Sequence, residues 1–149
     1  RIWPLMAAAP SQDRDIRKFE EIGTHPAANH NAIAEALSFH HGIGAERKAA
    51  RLRLLRERWM QHLEGHARIR FFTPRDPAQA CAIGTFGIDG VHPHAIVEHL
   101  WKAHRILATP MVHDEYQGVR ITPNVYTTLA EVDSFARVIE RVVERGFPS

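Results

Sequence analysis

The sequence predicts an α+β fold, a small, mostly antiparallel sheet of three to four strands covered on one face by helices and preceded by a long helix pair. Three observations carry this expectation. Residues 29–64 place apolar side chains at helical spacing. After Gly65 the period changes, and "ARIRFF", "ACAIGTFGI" and "GVRIT" read as short strands bounded by Gly and Pro. Amphipathic stretches then stand between and after these runs.

In chain order, "EEIGTHPAAN" is a loop with Gly23 and Pro26, and a helix follows from about Asn29. Asn29 or Asn31 can cap it, Ile33, Ala36, Leu37 and His40 share one face, and "GIG" at 42–44 breaks it. A longer helix runs from Ala45 to Glu64 and stops at Gly65. It holds the densest basic run, "ERKAARLRLLRER", in which Leu52, Leu55, Trp59 and Leu63 form the buried stripe and the arginines are expected on a solvated face. "HPHAIVEHLWKAH" places Pro93 in a first helical turn and Ile96, Val97, Leu100 and Trp101 on one face. "RILATPMV" is expected as a fourth strand at an edge, because Pro110 has no N–H for a central ladder. The last helix opens with a capping box, Thr128 to Glu131, turns Val132, Phe135, Ile139 and Val142 inward, and ends at Gly146.

Composition narrows the function. Of 149 residues, 44% are hydrophobic and 24% charged, and no apolar run approaches the roughly 20 residues of a membrane helix. The charge of +2 comes from 16 Arg and 3 Lys against 17 acids, too mild a balance to imply nucleic acid. Cys81 is the single cysteine, so no disulfide closes within the chain, and a structural thiol is expected. Arg1 stands where a Met would begin a full reading frame, and "RIWPLMAAAP" is too short for a signal peptide, so an upstream region is expected.

Eleven histidines raise the question of a metal. His62 and His66 are four apart and His92 and His94 flank a proline, but neither pair belongs to a His-Glu-x-x-His run, and no metal site is expected. No Gly-x-Ser-x-Gly elbow occurs, and the glycines of "GTFGIDG" do not open a helix as a dinucleotide fingerprint requires.

Arg120 stands apart, a single cation between Val119 and Ile121 in a strand. Its ordinary explanation is an ion pair with Asp114 or Glu115. The segments "EEIGTHPAANHNAIAEAL", "RLRLLRERW" and "GVRITPNVYTTLAEVDSF", in that order and over nearly the whole chain, resemble the C-terminal third of class V aminotransferase-fold enzymes that use pyridoxal phosphate. Among these the wording is most similar to the isopenicillin N epimerase-like branch, and "IWPLMA" resembles the stretch that follows its lysine-bearing strands.

The resemblance implies the C-terminal part of a fold-type I enzyme. Residues 1–44 would be the tail of the large cofactor domain with the interdomain helix, and 45–149 the small domain. It implies that Arg120 grips the α-carboxylate of an amino-acid substrate, and that Thr24 reaches the cofactor phosphate of the neighbouring subunit of a homodimer, with His25 and Asn29 lining the same pocket. It also requires a cofactor lysine, and Lys18, Lys48 and Lys102 lack the family's surroundings. The chain therefore reads as a fragment without catalytic competence of its own. Its parent would be a cytoplasmic pyridoxal-phosphate enzyme, with export left open by the missing start, and neither nucleic acid nor membrane is an expected partner. Epimerisation, transamination, desulfuration and elimination all fit the resemblance. The alternative is a stand-alone α+β binding module whose Arg-rich helix contacts an acidic partner or nucleic acid.

Overall fold

The computed structural model describes residues 10–19, 23, 24 and 26–148. Contacts divide the chain into two compact units, residues 1–42 and 43–149. Unit one contains two short 3-10 turns, Pro10–Gln12 and Ile16–Phe19, and nearly all of helix α1, Ala27–Ile43. That helix begins directly after Pro26, ahead of the expected asparagine cap, because a proline at the helix start gives up no N–H that the helix needs. None of its residues is buried, and Ile33, Leu37 and Phe39 are all more than half exposed.

The second unit contains α2 (Ala45–His62), β1 (Ile69–Phe71), β2 (Gly84–Ile88), α3 (Pro93–His104), β3 (Thr109–Val112), β4 (Gln117–Ile121) and α4 (Leu129–Arg145). This is the α+β order expected from the sequence. The four strands form one antiparallel sheet in the order β1-β2-β4-β3. Pro110 sits on an edge strand, where its missing donor costs no ladder bond. Both outer strands are short. β2 covers only the second half of "ACAIGTFGI", which leaves Cys81 in the loop before it, half-buried with Sγ 3.8 Å from the Ala49 carbonyl oxygen.

One hydrophobic core lies between the sheet and the helices. Trp59 of α2 is its centre, with its ring against Phe71, Phe86 and Phe135. Gly84 makes room for it, since a Cβ there would collide with the Trp59 ring. Helix α4 supplies Val132, Phe135, Val138, Ile139 and Val142, and its capping box forms as the sequence indicates. Helix α3 adds Ile96 and Leu100.

The basic face of α2 departs from expectation. Arg56 is buried, hydrogen-bonded to Glu57 and to the Arg75 carbonyl oxygen, while Arg75 holds the other Glu57 oxygen at 3.0 Å. Arg51 donates to Thr127 O, Arg53 to Pro77 O, and Arg58 pairs with Asp133 of α4. The loops after β1 and β4 bring carbonyl oxygens to this helix, and a guanidinium with five donors can serve them while its stem packs on the core. The α2 helix also stops at His62 rather than Glu64, and Gly65 at φ +87° turns the chain toward β1.

Candidate functional site

Successive strand residues point to opposite faces. In β4, Val119 enters the core, so Arg120 emerges on the face away from α2, α3 and α4. The register sets Thr85 of β2 on one side of it and Thr109 of β3 on the other. One step along that face, Gly87 and Gly118 form a flat floor. A Cβ at either would lie 3.1 Å from Phe72 Cε2, so the Phe72 ring occupies the space their missing side chains leave.

Arg120 is half-buried, and its Nε is fully buried without a hydrogen-bond partner. It makes no ion pair among the described residues, with Asp114 and Glu115 included. A guanidinium donor left unmet in a protein interior costs about 1–3 kcal/mol or more. An anion carrying two oxygens is the partner whose geometry fits the planar fork.

The loop that follows β4 is held from several sides. Asn124 N donates to Thr127 Oγ1 at 3.0 Å, Thr127 N donates back to Asn124 O, and Arg51 Nη2 donates to Thr127 O at 2.9 Å. Thr128 then caps α4, and its backbone and hydroxyl hydrogen bonds hold Glu131 below the usual carboxylate range. A cavity of about 440 Å³ opens beside this loop, walled by Trp59, Arg105, Leu107, Thr122, Tyr126 and neighbours. Arg120 is not in its wall.

Thr24 belongs to unit one, where it is exposed and follows Gly23 at φ +83°. A hydroxyl and an amide beside a left-handed glycine suit a phosphate. Asn29 is exposed in the first turn of α1, and His25 lies outside the described residues. Among the described residues no group of three side chains could hold a metal. His62 and His66 do converge, but on Glu140 of α4, at 3.2 and 3.8 Å. Thr85 and Thr109, the flanks of Arg120, are not legible in the sequence, because only strand pairing over long separations brings them there.

No family model and no curated protein matches the chain. Solved structures do. The apo cysteine desulfurase from Thermococcus onnurineus NA1 matches with a TM-score of 0.74 at 24% identity, over 85% of this chain and 34% of that one. The Escherichia coli cysteine desulfurase CsdA gives a TM-score of 0.71 at 20% identity, over 83% and 32%. An alanine–glyoxylate aminotransferase from Nostoc sp. gives 0.65 at 20% identity, over 82% and 33%. The chain thus spans about a third of the length of each, and what it shares with them is the fold, that of the C-terminal part of a fold-type I enzyme.

Proposed function

We propose that this chain is the C-terminal portion of a homodimeric, cytoplasmic pyridoxal-phosphate enzyme of the class V aminotransferase kind, similar to the isopenicillin N epimerase-like branch, acting on an α-amino acid. The observation that carries the reading is Arg120, a strand-held guanidinium with a buried, unpartnered Nε between two threonines. The shared fold, a further matching structure of a C-DES variant with glycine covalently linked to its PLP cofactor, and the segment "RITPNVYTT" support it.

In this reading Arg120 binds the substrate carboxylate through paired N–H donors and so fixes which bond at Cα faces the reacting centre. Its rigid strand and the Arg51-anchored loop after it limit the drift of that orientation. Thr24 would hold the cofactor phosphate of the other subunit, and His25 and Asn29 would line that pocket. When bound, pyridoxal phosphate supplies an electron sink for the bond broken at Cα. The lysine that carries it belongs to the upstream part of the parent. Sulfur transfer through a thiol of this portion is disfavoured, because Cys81 is turned toward Ala49 O of α2.

Arg120→Lys in the full-length parent tests the assignment. It keeps the charge and loses the fork, so amino-acid binding should weaken by about 1.5–3 kcal/mol, the value of a hydrogen bond to a charged group. The melting temperature should barely move, since Arg120 has no internal ion pair to lose. An unchanged amino-acid titration with a marked loss of stability would make Arg120 a structural residue.

A further inference from the structure

Away from the Arg120 face, two histidines and two arginines meet near the ends of α3 and α4. His99 and His104 come from α3, Arg141 and Arg145 from successive turns of α4, and all four wall one cavity of about 330 Å³. The His99 and His104 rings lie 5.1 Å apart, and His99 also meets the Phe147 ring edge-on at 5.4 Å. Among the described residues no carboxylate lines this cavity. None of the four makes an ion pair among the described residues, whereas Glu98, the nearest acid on α3, is taken by Lys102.

The two arginines are exposed, and no acidic side chain faces them in this cavity among the described residues. Burial, then His104 and Arg141, push the His99 pKa down from its ordinary value. Arg141 and Arg145 are like charges at i, i+4, a spacing that destabilises an isolated helix. Each helix C-terminus offers roughly half a negative charge, which does not neutralise the two arginines. Val138, Val142 and Phe147 make the remaining wall apolar. The volume lies at the lower end of the roughly 300–1,000 Å³ usual for ligand sites, and an apolar body held by a few convergent polar groups is the usual content.

We propose that this cavity binds a small organic anion, a carboxylate on a single aryl or branched alkyl body. Its charge is met by Arg141, Arg145 and the two imidazoles, and its body lies on Phe147 and the α4 valines. The negative charge favours imidazolium at His99, so binding takes up a proton and affinity tightens as pH falls through the histidine range. Among the described residues His104, Arg141 and Arg145 are the other titratable groups that line this cavity with His99.

The chain itself serves for the test. 3-Phenylpropionate is titrated into it while the histidine ring resonances are followed by NMR, beside 3-phenylpropanol and inorganic phosphate. The expected result is a saturable shift at His99 with a raised titration midpoint, little response to the alcohol, and weaker binding of phosphate. Arg141→Gln, at an exposed position, should weaken phenylpropionate binding by about tenfold, and Phe147→Ala should do so without loss of fold. No shift at His99, or an equal one from the alcohol, overturns the site. Phosphate binding as tightly as phenylpropionate overturns the apolar part of the assignment.

Discussion

Arg56 and Arg120 show how differently one residue type is used in a single unit. Arg56 is wholly buried and held at Nε and Nη2 mainly by Glu57, which also holds Arg75, while its Nη1 is buried without a partner. Glu57→Gln leaves that buried guanidinium without its counter-charge, and should cost about 1–3 kcal/mol in a urea unfolding measurement. Arg56→Met retains much of the volume and should cost less, because replacing a buried ion by an apolar side chain is often near neutral. If Arg56→Met proved the worse of the two, the guanidinium itself would be the essential partner. Gly84 makes a sharper case. A methyl group there meets a buried indole ring that Phe71, Phe86 and Phe135 hold in place. Gly84→Ala should therefore destabilise by roughly 1–3 kcal/mol, and an unchanged denaturation midpoint would mean that Trp59 has room to turn. From the sequence Arg120 was readable as a candidate and Arg56 was not, because charge patterning on a helix does not reveal which loops will cover it.

At the scale of elements, legibility followed how local each signal is. Pro93 at the head of α3 and the Thr128–Glu131 box at the head of α4 act within one turn, and both helices begin where those residues indicate. Thr128→Ala removes the cap and should lower stability by about 1 kcal/mol, measured as a shift in the urea midpoint. The strands were legible as runs but not in extent or partnership. β2 begins at Gly84, well inside its apolar run, because pairing with β1 and β4 rather than hydrophobicity sets its bounds. Helix α3 carries a pH response. The depressed pKa of His99 means that the unfolded chain binds more protons as pH falls below about 6.5, so stability present above that value is lost on acidification. His99→Gln should flatten that part of the stability profile. Retention of the full slope in the variant would assign it to a group other than His99, and not to Asp133, which the Arg58 hydrogen bond holds below its ordinary range and whose contribution is lost only at lower pH.

For the whole molecule, the apolar side chains of α1 are the feature most at odds with life as an isolated monomer. Ile33, Leu37 and Phe39 stand exposed on a helix with no buried residue, and contiguous apolar patches on soluble monomers rarely exceed a few hundred Å². The chain alone should self-associate in sedimentation experiments, and Ile33→Gln with Leu37→Gln should return it to monomer; association that survives both changes would place the sticky surface elsewhere. The strand order β1-β2-β4-β3 has a further consequence, in the time course of synthesis. The centre of the sheet is a pair of strands separated by α3 and β3, so β2 waits for its inner neighbour until the ribosome has released Gln117–Ile121. Before that moment the nascent chain holds only a short β1–β2 ribbon, too small to persist in water, with the Trp59 indole lacking Phe135 of α4 as a cover. Closure of this unit is thus an event of its last thirty or so residues, and a chain interrupted anywhere ahead of β4 would be exposed to proteolysis along its whole second unit rather than trimmed at one end.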